Sequence, residues 1–339
     1  MKIVTYGEIM LRLASPRCSR FIQTESFDAS YGGGEANVAV SLANFGLDAS
    51  FVTKLPDNLL GQAAVNSLRR HGVDTQGIVR GGDRIGIYFL EKGASQRASN
   101  IIYDRAGSAI AEAKLTDFDW AKIFAGAQWF HFTGITPAVS DAAAAVTLQA
   151  VKAAKAAGLT VSCDLNYRKK LWTKDKAKEV MSGLAQYIDV CISNEEDAHD
   201  VFGIAADKSD VAKGEINREG YISVAKQLVK KFGFKKVAIT LRESLSADDN
   251  IWSGLLYDGK DAVFSKKYNI HIVDRVGGGD SFGAGLIYAQ LNKYDSQKTI
   301  EFAVAASCLK HTIEGDFNLV SADEVVRLMG GDGSGRVQR

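Results

Sequence analysis

Short apolar runs typical of buried strands alternate along the chain with longer segments that have helical periodicity. The strand-like runs are KIVTYG, ASFVTK, QWFHFTG, LTVSCDLN, IDVCIS and KVAITL. The helical segments start near Asn37 and near residues 59, 141, 173 and 221. This alternation predicts a mostly parallel central sheet with helices on both faces. Ligands of such sheets bind beyond the carboxyl ends of the strands.

Two stretches interrupt the alternation. Residues 85–91 and 97–105 are consecutive strand-like runs joined by KGAS without a helix between them, and IMLRLAS near the start is similar. They predict a small sheet outside the main layer, which is either a lid over a site or a surface hairpin. The expected division is 1–9, 36–84 and 106–329 for the α/β domain, 10–35 and 85–105 for the lid, and 330–339 for a flexible tail.

Composition narrows the possible partners. The chain has 46% apolar residues, and its 41 basic and 40 acidic residues leave a net charge of +1. This balance argues against a nucleic-acid partner, and no apolar segment approaches the length of a membrane span. We therefore expect a cytoplasmic protein that binds small molecules. We interpret the cysteines as reduced core thiols, and the five histidines lack metal-ligand spacing.

The segment DRVGGGDSFGAG, residues 274–285, places five glycines around Asp280. It lacks the lysine of a P-loop and the third glycine of a dinucleotide fingerprint. Glycine amides at a helix N-terminus form a site for anionic oxygens. The alternative is a loop that needs positive φ, with Asp280 as a helix cap.

A second glycine run, YGGGEANVAV at residues 31–40, also comes directly before a helix of small residues. Here Glu35 and Asn37 supply polar groups suited to hydroxyls, and glycine lets a substrate approach the backbone. A tight turn with close helix packing accounts for the pattern equally well.

Together, GGGEANVAV, SNEEDA and DRVGGGDSFGAGL resemble the three signature regions of the ribokinase-like (PfkB) family of sugar kinases, and the resemblance runs to about Met329. Within the family, IYDRAGSA, DLNYR, TLRES and HTIEGDFNLVS are similar to the members that phosphorylate 2-keto-3-deoxygluconate. The resemblance implies a three-layer α/β domain with a small β-sheet lid. It also implies transfer of the γ-phosphoryl group of ATP, with Mg²⁺, to the terminal hydroxyl of that sugar acid.

The resemblance also assigns residues. Asp280 matches the base that accepts the hydroxyl proton, and the amides of Gly277, Gly278 and Gly279 match the anion hole. The residues matched to the substrate are Gly34, Glu35, Asn37, Tyr88, Tyr103, Arg105, Arg168, Asp280 and Asp316. Those matched to the nucleotide are Asn166, Ser193, Thr240, Arg242, Gly277 and Gly279. Asn194 and Asp197 match an element that acts indirectly on Mg²⁺, with Asp197 in place of the family's glutamate.

Other functions stay open from the sequence. The chain could phosphorylate fructose, ribose or 5-keto-2-deoxygluconate, or it could be a sugar sensor without catalysis. Arginines in the sugar site separate these cases, because a neutral sugar needs no clamp for a carboxylate. We expect a sugar acid and ATP as partners, no nucleic acid or membrane, and a homo-oligomer, since exposed strands often pair edge to edge.

Overall fold

The computed structural model describes residues 1–194, 196–205, 217–331 and 333, and its strands form a ten-stranded and a four-stranded sheet. The strands of the large sheet are β1 (Lys2–Tyr6), β4 (Asp48–Leu55), β5 (Ile78–Arg80), β8 (Ala127–Thr133), β9 (Thr160–Asp164), β10 (Val190–Ser193), β11 (Lys236–Ser244), β12 (Asp249–Tyr257), β13 (Ala262–Phe264) and β14 (Tyr268–His271). The strands of the small sheet are β2 (Met10–Ala14), β3 (Asp28–Gly32), β6 (Ile87–Glu91) and β7 (Asn100–Asp104). The helices are α1 (Gly34–Asn44), α2 (Leu59–Arg69), α3 (Trp120–Ile123), α4 (Ile135–Val139), α5 (Asp141–Ala156), α6 (Lys174–Ala185), α7 (Asp197–Phe202), α8 (Arg218–Phe232), α9 (Gly278–Leu291), α10 (Ser296–Lys310) and α11 (Ala322–Met329). Most of the tail predicted for 330–339 lies outside the described residues.

The large sheet runs in the order β13-β12-β11-β10-β9-β8-β1-β4-β5, with β14 also paired to β12. All neighbours from β11 to β5 are parallel, which confirms the predicted mostly parallel sheet. The strands β12, β13 and β14 add an antiparallel edge that the sequence pattern did not predict. A short turn after β11 returns the chain directly as β12, so no helix marks the change of direction.

Helices cover both faces of this sheet, as predicted. Along β11, Val237 and Ile239 pack into one core and Ala238 into the other, because successive side chains of a strand point to opposite faces. Buried residues of α5, α6, α7 and α8 fill the first core. Those of α1, α2, α9, α10 and α11 fill the second. The result is a three-layer α/β architecture.

Local signals fix the ends of the helices. At the start of α5, the Ser140 hydroxyl accepts a hydrogen bond from the amide of Ala143. After its end, Gly158 adopts a φ of 76° that stops the helix. The helix α1 begins at Gly34, three residues before the predicted start, because Gly33 is extended and serves as its N-cap. Gly34 and Glu35, which the expected division placed at the end of the lid range 10–35, are therefore the first two residues of α1.

The small sheet has the order β3-β2-β6-β7, and only its central pair β2–β6 is parallel. Its buried side chains Met10, Ala14, Tyr88 and Leu90 form an apolar cluster separate from the two large cores. A lid role for this sheet, like an oligomer through its edges, stays a prediction.

The exposure of Cys18 contradicts the expectation that all the cysteines are core thiols. Cys163 and Cys191 are buried free thiols on adjacent strands, but Cys18 is exposed in the loop between β2 and β3. Its polar neighbours in PRCSR gave no apolar run that would have placed it in a core. None of the helices in the described part of the chain combines the length and apolar character needed to cross a bilayer.

Candidate active site

One cavity of about 540 Å³ opens beyond the carboxyl ends of the parallel strands. Asp164 ends β9 and Ser193 ends β10, while Tyr88 and Tyr103 approach from the small sheet. Every residue that the sequence assigned to a site lines this cavity: Gly34, Glu35, Asn37, Tyr88, Tyr103, Arg105, Asn166, Arg168, Ser193, Asn194, Asp197, Thr240, Arg242, Gly277, Gly278, Gly279, Asp280 and Asp316. The structure thus brings together residues spread over most of the chain.

The three glycines before Asp280 differ in what requires them. Gly277 has a φ of 86°, and a Cβ there would collide with the carbonyl of Asp316. A Cβ on Gly278 would collide with the His311 ring. At Gly279, by contrast, an added Cβ would meet no protein atom within 4 Å. Packing therefore explains the first two glycines, whereas Gly279 leaves open space inside the cavity.

The amides at this helix start are suited to an anion. In the described part of the chain, the amides of Gly277 and Gly279 have no hydrogen-bond acceptor. The Gly278 amide donates to the carbonyl of Arg275 at 3.4 Å, so it is less available than predicted. Free amides at the positive end of the helix dipole attract anionic oxygens.

Asp280 is the carboxylate next to these amides. Asn37 donates from Nδ2 to Asp280 Oδ2 at 2.7 Å, and its Oδ1 accepts from the Gly33 amide at 3.2 Å. Burial, with a smaller contribution from the nearby Asp316, raises the pKa of Asp280 to about 6 against the opposing effect of the Asn37 hydrogen bond. Asn37, predicted as a sugar contact, therefore has a second interpretation as the residue that orients Asp280.

Glu35 makes contacts that differ from the predicted sugar contact. Its Oε1 accepts from the Thr133 amide at 2.8 Å, the Thr133 hydroxyl at 2.8 Å and the Thr136 hydroxyl at 2.7 Å. Burial raises its pKa to about 7 against the effect of these bonds. We interpret Glu35 as an anchor between α1 and the junction of β8 with α4, because three hydrogen bonds already engage its Oε1 there.

The two predicted arginines also differ from each other. Arg105 is buried and donates from Nε to Glu8 Oε2 at 2.8 Å, and its Nη2 contacts the same oxygen. Ser108 donates to the other Glu8 oxygen. Arg168 is exposed, and the one hydrogen bond that its side chain makes to the described residues is a long one of 3.4 Å from Nη1 to the Tyr167 carbonyl. Glu8 neutralises Arg105, so Arg168 is the better placed of the two to bind a carboxylate.

Tyr88 and Asp316, both predicted to contact substrate, contact each other. The Tyr88 hydroxyl donates to the Asp316 carboxylate at 2.7 Å. The guanidinium of Arg12, which sequence reasoning did not assign to the site, donates to the same carboxylate at 2.6 Å. Asp316 is therefore part of a buried network as well as of the cavity wall.

Asp164 and Asp197 form an acidic pair next to Arg168. Burial raises the pKa of Asp197 to about 6 and that of Asp164 above its usual range, and the two carboxylates repel each other. Asn194 Oδ1 accepts from the amides of Glu196 and Asp197 at 2.8 Å, so it orients the start of α7. Two carboxylates fit Mg²⁺, which keeps several waters and binds few protein groups. The described residues contain no cluster of three or more metal-ligating side chains.

Arg242, predicted to contact the nucleotide, forms a pair of like charges with Arg275. Arg275 donates from Nη2 to the Ala247 carbonyl at 2.9 Å, and burial and Arg242 lower its pKa. Neither arginine has an ion-pair partner within 4.0 Å among the described residues. Two guanidinium groups that form no ion pair with the described residues, beside free amides, suit a polyphosphate.

The other predicted nucleotide residues are held locally. Asn166 has a φ of 39°, and its amide donates to Asp164 Oδ1 at 3.1 Å. The Ser193 hydroxyl donates to the Asn194 carbonyl at 2.9 Å, and Thr240 lies within β11.

Sequence reasoning missed six residues of the site and its surroundings: Glu8, Arg12, Asp164, Asp274, Arg275 and Lys310. For two of them, the sequence pattern could have indicated a role in the site. Arg12 lies on the same strand face as the apolar Met10 and Ala14, where a charge requires a buried partner. Asp164 follows a buried apolar strand at the edge where ligands bind. The others depend on contacts between distant parts of the chain.

The chain is similar to several known proteins over most of its length. A family model described as pfkB family carbohydrate kinase matches residues 1–321. The solved structure of 2-dehydro-3-deoxygluconokinase from Thermotoga maritima is similar at a TM-score of 0.94 and 56% identity, covering 98% of this chain and 100% of that one. The 2-dehydro-3-deoxygalactonokinase of Haloferax volcanii is 31% identical over 336 residues, 98% of each protein. The 5-dehydro-2-deoxygluconokinase of Clostridium perfringens is 27% identical over 88% of this chain and 84% of that protein.

Proposed function

The chain belongs to the pfkB family of carbohydrate kinases, and from this premise we propose that it phosphorylates the terminal hydroxyl of 2-keto-3-deoxygluconate with ATP, giving the 6-phosphate. The observation that carries the proposal is the position of Asp280. This carboxylate adjoins the free amides at the start of α9 and shares one cavity with Arg168. The site therefore offers a base, an anion hole and a cation for a substrate carboxylate.

In this mechanism Asp280 accepts the proton of the attacking hydroxyl, and Asn37 keeps its carboxylate oriented towards the cavity. The amides of Gly277 and Gly279 bind oxygens of the γ-phosphoryl group, where charge accumulates during transfer. The helix dipole of α9 adds to this stabilisation. Phosphoryl transfer needs mainly positioning and neutralisation of charge, so these groups are chemically sufficient for the protein's part.

We place ATP beside Arg242 and Arg275, which line the same cavity and would face its phosphates. Asp164 and Asp197 would hold Mg²⁺, through water or directly, and Asn194 would act on it only through Asp197. The ion supplies neutralisation of the phosphate charges when it is bound.

Specificity for a sugar acid rests on Arg168 in this proposal. We expect Arg168→Leu to lower kcat/KM for 2-keto-3-deoxygluconate by about 10- to 100-fold, the usual scale for a hydrogen bond to a charged group. Weak activity on a neutral sugar such as fructose should hardly change, because no carboxylate is present to lose a partner. A coupled assay of ADP release with both sugars measures the two values.

Lys169→Leu is the matched control, since Lys169 is an exposed cation next in the chain and is not among the residues that line the cavity. It should leave both activities unchanged. Equal losses for the acid and the neutral sugar in Arg168→Leu would assign Arg168 to ATP or to folding and would contradict its role in specificity.

The pH profile tests the base. Asp280 works only when deprotonated, and its pKa of about 6 lies above the ordinary aspartate value of 3.8. We therefore expect kcat/KM for the sugar, at saturating Mg·ATP, to fall as the pH drops through about 6 and to be level above it. An acidic limb centred near pH 4 would show that the carboxylate in the working enzyme is not shifted.

A sugar panel tests the proposal as a whole. The names of two relatives suggest two alternative substrates for the panel. One relative is named for 2-keto-3-deoxygalactonate and the other for 5-keto-2-deoxygluconate. Turnover of either acid with no turnover of 2-keto-3-deoxygluconate would change the substrate but keep the mechanism. Absence of ADP release with every sugar and acid, in a protein that binds them, would favour the non-catalytic sensor.

A further inference from the structure

Arg12 connects the small sheet to the loop in front of α9. It lies in β2 and is 2% exposed. Its Nη1 donates to Asp316 Oδ1 at 2.6 Å, and its Nη2 donates to Asp274 Oδ2 at 2.5 Å. The two carboxylates belong to separate loops of the α/β domain, one before α9 and one after α10. Because the guanidinium is planar and rigid, it fixes both carboxylates relative to the small sheet.

Asp274 in turn shapes the phosphate loop, which we define as residues 274–279. Its Oδ1 accepts from the Val276 amide at 3.2 Å, and its Oδ2 accepts from the Gly315 amide at 3.1 Å. From the other side, the buried Lys310 ammonium donates to the carbonyls of Asp274 at 3.4 Å and of Ile313 at 3.1 Å. The position of the phosphate loop thus depends on contacts with both the small sheet and the α/β domain.

An apolar contact reinforces the connection to the small sheet. Val276 packs against the cluster that Met10, Ala14, Tyr88 and Leu90 form there. This cluster is separate from the two large cores, so it belongs to the small sheet and not to the α/β domain. A displacement of the small sheet would therefore remove both the ionic and the apolar support of the phosphate loop.

We propose that Arg12 couples closure of the small sheet over the sugar to the arrangement of the phosphate loop that receives ATP. The proposal rests on the proposed function, because it takes Tyr88 and Tyr103 of the small sheet as sugar contacts. A sugar that holds the small sheet in place then favours the loop arrangement that binds the γ-phosphate. Coupling of this kind is reciprocal, so ATP favours the covered sugar to the same degree. Arg12 is a positioning residue, since it acts through Asp274 and Asp316.

The test measures the dissociation constant of a non-hydrolysable ATP analogue with Mg²⁺ by calorimetry, with and without a saturating sugar substrate. We expect the sugar to tighten the analogue by about tenfold in the wild-type protein, within the usual range of coupling between sites. In Arg12→Met, which keeps the aliphatic length but removes the fork, the ratio should fall to nearly one. Arg12→Lys keeps the charge but cannot bridge two carboxylates, so it should give an intermediate ratio.

Arg97→Met is the matched control. Arg97 pairs with Glu91 at 2.8 Å inside the small sheet and its loops, so its loss alters that region without touching the phosphate loop. It should keep the wild-type ratio. A wild-type ratio in Arg12→Met would overturn the proposal, as would a ratio near one in the wild type itself. If Arg12→Met does not fold, a wild-type ratio in Arg12→Lys would overturn the proposal in its place.

The experiment separates this proposal from the assignment of substrate. The sugar used is the one that the wild type turns over in the panel. Failure of 2-keto-3-deoxygluconate as a substrate therefore overturns the specificity, whereas unchanged coupling in the Arg12 variants overturns the role of Arg12.

Discussion

We expect Asp280→Asn to lower kcat by at least about 10²-fold, the ordinary scale for the loss of a general base. Asparagine has nearly the same volume and can still accept the 2.7 Å hydrogen bond from Asn37, but it cannot take up the proton of the attacking hydroxyl. Binding of an ATP analogue should be retained or slightly tighter, since a negative charge near the phosphates is removed. Single-turnover phosphorylation and calorimetric titration with the analogue measure the two effects separately.

The control for this variant is Asp104→Asn. Asp104 is an exposed carboxylate of β7 that pairs with Arg84 at 2.8 Å, so its neutralisation removes only an exposed ion pair. It should leave kcat unchanged. Near-normal turnover by a folded Asp280→Asn protein would remove Asp280 from the proton-transfer step, and the phosphate loop would then act by positioning alone.

The sequence predicted the main sheet and its helices well because both depend on local patterns. Strands such as IDVCIS are buried on both faces and read as short apolar runs, and α5 begins at a serine that caps it. The antiparallel edge β12–β14 escaped because the short connection 245–248, Leu-Ser-Ala-Asp, contains no glycine or proline that would mark a hairpin turn. The proposed base and anion hole lie together for a related reason, since Asp280 and its glycines are contiguous in the chain.

The remainder of the site depends on partners far apart in the sequence. Nothing around Glu35 indicates that Thr133 and Thr136 donate hydrogen bonds to its Oε1, and nothing around Arg105 indicates that Glu8 neutralises it. A residue type and its position predict that a side chain reaches a cavity. The residue type and position do not predict whether other protein groups already bind its charge. That difference decides whether the side chain anchors the fold or contacts a ligand.

Gly279→Ala should lower kcat/KM by about 10²- to 10³-fold, the scale for loss of one anion-hole donor, and should not destabilise the protein. Its Cβ meets no protein atom within 4 Å, and alanine is the better helix former by up to about 1 kcal/mol. The methyl group would instead fill the space through which a phosphoryl oxygen reaches the Gly279 amide. Kinetics with the preferred sugar, together with thermal unfolding, separate the effect on activity from the effect on stability.

Two glycines of the chain give matched comparisons for this variant. Gly183 is exposed within α6 and also has no atom within 4 Å of an added Cβ, so Gly183→Ala should stabilise the helix without changing activity. At Gly278, the methyl group would collide with the His311 ring, and Gly278→Ala should therefore lower the melting temperature. If Gly279→Ala keeps full activity while remaining as stable as Gly183→Ala, no ligand approaches the Gly279 amide closely. The anion hole would then have to be built from the Gly277 amide and the neighbouring arginines, because the Gly278 amide is already bonded to the Arg275 carbonyl.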